Sequence, residues 1–158
     1  MDITLRPARP EDATAIYAMI YELAVYEKAP EAVVTTPDEI RETLFNPGSK
    51  TEALICESEG KPIGYAVFFT SYSTWLGRNG IYMEDLYITP DYRGNGAGKA
   101  LLKHIAQCAV ERQCGRLEWS VLDWNQPAID FYRSIGALPQ SEWVRYRLDG
   151  EALLKFAE

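Results

Sequence analysis

The stretch Arg93-Gly94-Asn95-Gly96-Ala97-Gly98-Lys99 decides the fold class and gives the first functional hypothesis. It follows a strand-like run, Ile81 to Ile88, and begins a helical pattern that extends from Gly98 to Gln113. Glycines let the backbone approach a ligand closely, and a helix N-terminus offers unpaired N–H groups at the positive end of its dipole. The stretch therefore predicts a loop that binds a phosphate group.

Two familiar phosphate-binding loops do not fit this stretch. A P-loop ending at Gly98-Lys99 needs glycine at position 93 and serine or threonine at position 100, but these are Arg93 and Ala100. A dinucleotide fingerprint on the first two glycines needs glycine or alanine at position 99, which is Lys99. ATP and NAD are therefore poor candidates. A glycine-rich turn without a ligand is the structural alternative.

On both sides of this loop the sequence alternates between strand and helix patterns. Ser58-Glu59-Gly60-Lys61 between two apolar runs is typical of a hairpin, and Thr36 followed by Glu39 is a capping box that begins a helix. Strands joined by hairpins and by helices indicate an α/β fold with a mixed sheet. The predicted strands are 3–5, 53–57, 63–72, 81–88, 117–122 and 144–148, and the predicted helices are 10–26, 36–46, 98–113, 125–136 and a short C-terminal one.

Size and composition indicate one globular domain over residues 1–158, because two domains would each have a marginal core. Apolar residues make up 47% and charged residues 25%, which argues against disorder. The apolar runs fall far short of the roughly 20 residues that span a bilayer, and no signal peptide is visible. The three cysteines match no zinc or redox spacing, so we expect reduced thiols, no metal and a cytoplasmic location.

Charge is spread unevenly along the chain. Residues 1–60 hold twelve acidic and five basic side chains, whereas residues 93–116 hold five basic side chains and one acidic side chain. The net charge of −7 disfavours nucleic acid as a partner, since that affinity comes from phosphate contacts with Lys and Arg. The asymmetry favours an anionic ligand near the basic stretch and a cationic ligand near the acidic part, although a solvated charged surface gives the same pattern.

The glycine-rich stretch resembles the acetyl-CoA pyrophosphate loop, Arg/Gln-x-x-Gly-x-Gly/Ala, of the GNAT superfamily of N-acetyltransferases. Arg6-Pro7-Ala8 and Phe131-Tyr132 add to this resemblance, which covers essentially the whole chain. It implies a single-domain GNAT fold, a central mixed and mostly antiparallel sheet flanked by helices, with acetyl-CoA as cosubstrate. Likeness to the diamine (spermidine/spermine) and thialysine acetyltransferases lies in Glu22 to Glu27, Trp75-Leu76-Gly77, Glu84-Asp85, Trp124 to Pro127 and Leu153-Leu154-Lys155.

The resemblance also implies which residues act. Backbone groups of Leu86, Tyr87 and Ile88 would hold the thioester and the pantetheine arm, and Tyr132 would protonate the departing thiolate of coenzyme A. The other implied cofactor contacts are Arg93, Gly94, Asn95, Gly96, Ala97, Gly98 and Lys99 around the pyrophosphate, with Asn125, Gln126, Pro127 and Ala128 beside the cofactor. The implied substrate contacts are Tyr26, Glu27, Glu84, Glu118, Trp119 and Ser120.

The chemistry of amine acetylation is consistent with these roles. An alkylammonium of pKa ~10.4 must lose its proton before attacking a thioester, which costs about 4–5 kcal/mol at pH 7. A carboxylate such as Glu84 can attract the ammonium and accept its proton, directly or through water. Backbone N–H groups at residues 86–88 would stabilise the oxyanion if the sheet splays there. From the residues alone, a structural pairing of Glu84 with an arginine and a core position for Tyr132 stay open.

The resulting hypothesis is an acetyl-CoA-dependent N-acetyltransferase that acts on the primary amine of a small polycationic or lysine-like acceptor, by direct attack in a ternary complex. Glu118-Trp119-Ser120 is bulkier and more charged than the family segment, and Gly136 to Arg147 is shorter, so the acceptor remains open. Alternatives are another amine (an amino acid, an aminoglycoside or a protein amine) and an acyl-CoA-binding sensor without turnover. Resemblance also implies a homodimer, and we expect neither a nucleic-acid nor a membrane partner.

Overall fold

A computed structural model describes residues 2–158, which divide into two compact units, the first ending at Ser120 and the second spanning Val121–Glu158. The first unit contains a five-stranded sheet whose strands lie side by side in chain order. They are β1 (Thr4–Pro7), β2 (Thr51–Ser58), β3 (Lys61–Ser73), β4 (Arg78–Ile88) and β5 (Leu117–Glu118). Strands β1 to β4 pair antiparallel and β5 pairs parallel to β4, so the predicted mixed, mostly antiparallel sheet is confirmed.

The turn between β2 and β3 explains why the hairpin prediction holds. Glu59 and Gly60 both have positive φ angles, 52° and 75°, which is the combination that a tight two-residue hairpin turn requires. Ser58 pairs with Lys61 directly before and after this turn. The hairpin predicted at residues 58–61 is therefore confirmed, with a glutamate in a conformation that glycine or asparagine adopts more easily.

Three helices belong to the first unit: α1 (Ala13–Tyr26), α2 (Pro37–Phe45) and α3 (Ala97–Glu111). Ile16 of α1 packs in a buried cluster with Tyr87 of β4, whereas the next residue, Ile88, approaches Gly98 at the start of α3. Because successive side chains of a strand point to opposite faces, α1 and α3 cover opposite faces of the sheet. The end of β4 is thus held between the two helices.

The predicted helix ends are close to those observed. Thr36 caps α2, with its hydroxyl oxygen accepting from the Glu39 backbone N–H at 3.1 Å. Helix α3 ends at Glu111 rather than at Gln113, because Gln113 adopts a left-handed conformation with φ of 59°. The Cys114 N–H then donates to the Ala109 carbonyl at 2.8 Å and closes the helix end.

A buried ion-pair network fixes β1 against the start of α1. Both terminal nitrogens of Arg6 donate to the Asp12 carboxylate at 2.8 Å, and Arg6 Nε lies 3.2 Å from Glu57 on β2. The Arg9 backbone N–H adds a hydrogen bond of 2.7 Å to Asp12, which is a buried residue. The Arg6 guanidinium, followed by the Arg9 N–H, lowers the pKa of Asp12 below its ordinary value. The network is a structural clamp at the N-terminal end of the sheet.

The second unit contains two helices, α4 (Gln126–Ser134) and α5 (Gly150–Phe156). The Asn125 side chain caps α4 by accepting from the Ala128 N–H at 3.4 Å. Gly136, with φ of 91°, lies directly after the C-cap of α4, at the end of the predicted range 125–136. No helix formed by residues 2–158 is long and apolar enough to cross a bilayer.

Two strand predictions are wrong. The predicted strand 117–122 is reduced to Leu117–Glu118, because its parallel pairing with β4 covers only Ile81 and Tyr82. The predicted strand 144–148 does not form, and no strand of the described chain pairs with it. Alternating apolar and charged residues favour a strand only where a neighbouring strand supplies the hydrogen bonds. Within this segment Tyr146 is 90% exposed.

Candidate active site

A β-bulge lies in β4 where the predicted catalytic carboxylate occurs. Val67 of β3 pairs with Asp85 and the next residue, Phe68, pairs with Met83, so Glu84 is an extra residue without a partner on β3. A bulge of this kind bends the strand and turns a side chain away from the regular pleat. Glu84 is exposed, which fits a residue that meets a ligand.

The edge of β4 that faces β5 is unpaired beyond the bulge. Pairing with β5 ends at Tyr82, so residues 83–88 have a strand neighbour only on the β3 side among the described residues. Their backbone groups on the other side therefore make no ladder hydrogen bonds with β5. The role of Leu86, Tyr87 and Ile88 in holding a thioester stays a prediction.

The glycine-rich loop connects this strand to α3. Gly94 and Gly96 have φ angles of 80° and 82°, and a Cβ added at either would meet no atom within 4 Å. Glycine is thus needed for the backbone conformation rather than for space. Gly96 precedes the first turn of α3, which has no side-chain cap and no acidic residue but contains the exposed Lys99. This turn presents unpaired N–H groups and positive charge, as an anion site requires.

Arg93, the first residue of the loop, turns its side chain back toward the sheet. Its Nε donates to the Ile88 carbonyl oxygen at 2.7 Å. Its guanidinium carbon lies 5.6 Å from the ring centre of Tyr26 and 5.2 Å from that of Tyr87. The structure thus joins the predicted substrate residue Tyr26, at the end of α1, to the predicted thioester strand.

Acidic side chains collect beside the bulge. Burial and the charge of Asp85 raise the pKa of Glu27, the residue that follows α1. Burial is also the main cause that raises the pKa of Asp85, with a contribution from Glu84, while a hydrogen bond from the Tyr65 hydroxyl at 2.7 Å opposes it. A nearby cation would favour the ionised form of such carboxylates. The three acids therefore form an acidic cluster beside the bulge.

Tyr87 adds another hydrogen bond to this side of the sheet. Its hydroxyl donates to Glu22 Oε1 on α1 at 2.8 Å, and burial together with Glu22 raises the pKa of Tyr87 to about 12. Tyr87 is therefore a neutral hydrogen-bond donor at physiological pH. Its side chain connects β4 to α1 while its backbone belongs to the unpaired edge.

The predicted substrate residues Glu118, Trp119 and Ser120 lie at the end of β5. Glu118 pairs with Tyr82 of β4, and the Ser120 hydroxyl shares a hydrogen bond of 2.7 Å with the Tyr82 hydroxyl. This places the segment near β4 shortly before the bulge. Trp119 is half-buried, whereas Glu118 and Ser120 are exposed.

The remaining predicted cofactor contacts and Tyr132 lie in the second unit. Asn125 caps α4, Pro127 occupies its first turn, and Gln126 donates to Asp130 at 2.7 Å. Tyr132 is half-buried, and its ring centre lies 5.6 Å from that of Phe131. The role of Tyr132 as an acid stays a prediction.

Sequence reasoning assigned no role to Asp85, Glu22 or Tyr65, although all three belong to the acidic side of the site. A role for Asp85 could have been inferred from the sequence, because Asp85 and Glu84 are adjacent carboxylates within an apolar strand. Tyr65 gave no signal, because an aromatic residue in a strand is usually part of the core.

Comparisons with known proteins identify the family of the chain. Residues 15–137 match the acetyltransferase (GNAT) family. The chain is 36% identical to the thialysine N-epsilon-acetyltransferase of Sus scrofa, covering 98% of this chain and 97% of that protein. It is 30% identical to the L-ornithine N5-acetyltransferase of Arabidopsis thaliana, covering 94% and 85%. The solved structure of a V. cholerae integron cassette protein superposes with a TM-score of 0.84 at 25% identity, covering 100% and 99%. The chain therefore belongs to the GNAT family, and it is an N-acetyltransferase.

Proposed function

We propose that this N-acetyltransferase transfers the acetyl group of acetyl-CoA to the primary amine of a small lysine-like or polycationic acceptor. The amine attacks the thioester directly while both substrates are bound in a ternary complex. One observation carries the proposal: the acidic pair Glu84-Asp85 immediately precedes the unpaired strand edge at residues 86–88. A cation attracted by these acids is thereby brought beside the backbone donors that would hold a thioester.

The acids of the bulge act on the acceptor. Glu27 and Asp85 attract its ammonium group, since burial makes their negative charges costly without a cation. Glu84 is exposed at the bulge and accepts the proton, directly or through water. The neutral amine is then the nucleophile, so no nucleophilic side chain of the enzyme is required.

The loop and the strand edge act on the cosubstrate. Acetyl-CoA supplies a thioester carbonyl that is open to attack and a diphosphate that needs an anion site. Backbone N–H groups from Gly94 to Lys99 surround the diphosphate at the N-terminus of α3, where no acidic side chain opposes it. Free N–H groups at residues 86–88 stabilise the negative charge that develops on the carbonyl oxygen.

The second unit completes the reaction by resemblance to the family. Asn125 to Ala128, at the start of α4, line the cosubstrate. The Tyr132 hydroxyl donates a proton to the departing thiolate, because a phenol is a suitable acid for a leaving group of similar pKa. In this proposal residues 1–158 work as one catalytic domain.

The names of the relatives favour a lysine-like acceptor. Thialysine N-epsilon and L-ornithine N5 both denote a side-chain amine of an amino acid. The bulky, charged segment Glu118-Trp119-Ser120 beside Tyr82 fits an acceptor that carries further polar groups. Polyamines share the primary amine and the positive charge, so they belong to the same proposed class.

We further propose that the enzyme is a cytoplasmic homodimer. Large apolar side chains of the C-terminal segment are exposed, Tyr146 at 90%, Leu154 at 73% and Phe156 at 82%. Several large apolar groups exposed in one short segment are typical of an interaction surface. A second copy of the chain is the proposed partner of this surface.

A thiol-release assay with acetyl-CoA tests the proposal. The panel contains thialysine, lysine, ornithine, putrescine, spermidine, spermine and an aminoglycoside. We expect release of coenzyme A with a lysine-like amine or a polyamine. If no amine of the panel causes release of coenzyme A although the protein still binds coenzyme A, a sensor without turnover is favoured. Release with the aminoglycoside alone would indicate that the acceptor belongs to another class of amine.

A matched pair of variants tests the carboxylate. Glu84→Gln removes the proposed proton acceptor, so we expect a lower rate and an altered dependence on pH. Glu59→Gln removes the same charge from the β2–β3 turn and should leave both unchanged. If Glu84→Gln keeps the rate and the pH dependence of the unmodified enzyme, as Glu59→Gln should, then Glu84 is not the proton acceptor.

A further inference from the structure

We propose that the Arg93 side chain is a positioning residue that holds the acceptor end of α1 against the thioester end of β4, instead of contacting the diphosphate. The inference rests on the proposed function and adds to it a link between the two substrate sites. Family resemblance alone would place this side chain with the diphosphate loop.

Two hydrogen bonds tie Arg93 to the end of β4 and to the turn that follows it. Its Nε donates to the Ile88 carbonyl at 2.7 Å, and its backbone N–H donates to the Pro90 carbonyl at 3.2 Å. Ile88 is the last residue of β4 and belongs to the proposed thioester edge. The Arg93 side chain therefore fixes the end of that edge directly before the glycine-rich loop begins.

The guanidinium also contacts two aromatic rings from different elements. Its central carbon lies 5.2 Å from the ring centre of Tyr87 on β4 and 5.6 Å from that of Tyr26 on α1. Both distances are within the range of a cation–π contact. Tyr87 is itself bound to α1 through its hydrogen bond to Glu22. Arg93 is thus the cation shared by the two elements that present the acceptor and the thioester.

Position in the chain makes this contact relevant to the acceptor. Tyr26 is the last residue of α1, and Glu27 follows it directly. Burial and the charge of Asp85 raise the pKa of Glu27. A shift of Tyr26 would carry Glu27 away from the bulge acids. Loss of Arg93 should therefore weaken amine binding even when acetyl-CoA is saturating.

Lysine cannot replace arginine in this arrangement. A planar guanidinium stacks on rings while its Nε donates sideways to a carbonyl, whereas an ammonium is a single point charge. If Arg93 served the diphosphate through charge alone, lysine would restore function. The nearby Lys99, exposed in the first turn of α3, carries such a point charge.

The test compares Arg93→Gln and Arg93→Lys with the control Lys99→Gln. Calorimetry measures the Kd of coenzyme A, and steady-state kinetics measures the amine KM at saturating acetyl-CoA. A double-mutant cycle of Arg93→Gln with Tyr26→Leu, measured by denaturant unfolding, gives the coupling between the two side chains without any acceptor.

We expect both Arg93 variants to raise the amine KM about tenfold, since neither glutamine nor lysine combines the two ring contacts with the sideways hydrogen bond to the Ile88 carbonyl. Their Kd for coenzyme A should stay within about twofold, whereas Lys99→Gln weakens it more. The unfolding effects of Arg93→Gln and Tyr26→Leu should be non-additive.

Three results would overturn the proposal: rescue by lysine, a weakened Kd for coenzyme A with an unchanged amine KM, or additive unfolding effects. If the unmodified chain acetylates no amine, the proposed function fails separately. The coenzyme A affinities and the unfolding cycle then still decide whether Arg93 positions α1.

Discussion

The hydroxyl of Tyr65, a residue with no exposed surface, donates to Asp85 Oδ2 at 2.7 Å. Burial and Glu84 raise the pKa of Asp85, and the Tyr65 hydrogen bond lowers it. Burial, together with the pairing to Asp85, raises the pKa of Tyr65, so this side chain stays a donor throughout the working range of pH. A core residue on β3 thereby controls the charge of a site residue on β4.

Tyr65→Phe is expected to move the acidic limb of the amine kcat/KM profile to higher pH. Loss of the hydrogen bond raises the pKa of Asp85 further, so its carboxylate forms only at higher pH. The lost bond to a charged group should also cost about 2 kcal/mol of unfolding free energy. Tyr72→Phe, at an exposed position of the same strand, is the control. If the acidic limb of the kcat/KM profile does not move in Tyr65→Phe, then Tyr65 contributes to the core but does not affect the charge of Asp85 during the reaction.

Tyr132→Phe is expected to lower kcat about 100-fold with little change in the Kd of acetyl-CoA, because a general acid is lost while binding contacts remain. Single-turnover measurements of coenzyme A release check this. Phe131→Leu changes the neighbouring ring without removing a proton donor and is the matched control. If Tyr132→Phe keeps an unchanged kcat, another group must protonate the departing thiolate of coenzyme A.

Gly64→Ala is expected to lower both stability and kcat. A methyl group at Gly64 would lie 2.6 Å from the Tyr87 carbonyl oxygen and would overlap the Ile88 side chain. Relief of this clash must move the end of β4, at a cost of about 2 kcal/mol in unfolding free energy. Gly48→Ala, where the nearest atom is 3.4 Å away, should change neither quantity. Normal kcat in a destabilised Gly64→Ala would show that the strand end is not critical.

Stability at low pH should depend on Asp12. Arg6 depresses the folded-state pKa of Asp12, so the stabilisation is present above the unfolded value near ~3.9 and is lost as pH falls through the folded value. Asp12→Asn should lower the unfolding free energy by about 3 kcal/mol at neutral pH and flatten its acid dependence. Urea unfolding across the acid range measures both. The exposed Asp2→Asn serves as the control, and parallel curves for the two variants would contradict this assignment.

Local chemistry made much of the fold predictable. Glu59-Gly60 fits only a tight turn between its two apolar runs, and Thr36 and Asn125 carry side chains that cap helices. The glycine-rich loop was recognisable because Gly94 and Gly96 adopt conformations that other residues rarely adopt. These signals depend on a few neighbouring residues, so the sequence contains them in full.

Features that depend on distant partners were not predictable. Residues 144–148 alternate like a strand but have none beside them, and β5 stops where β4 bulges at Glu84. Asp85 gained a role only when β3 brought Tyr65 against it, and α1 brought Glu27. The contacts of the Arg93 guanidinium with Tyr26 and Tyr87 were likewise not predictable, because Tyr26 lies far from Arg93 in the sequence.

The unpaired edge of β4 has a consequence for solubility as well as for catalysis. A free strand edge is a template on which another chain can add a strand and start aggregation. Proteins block such addition with charges and bulges, and this edge has both, in Glu84 and Asp85. The acids that we propose to attract an amine therefore also protect the open sheet edge from adding strands of other chains. Replacing the pair with valines would leave an aggregation-prone strand beside the proposed active site.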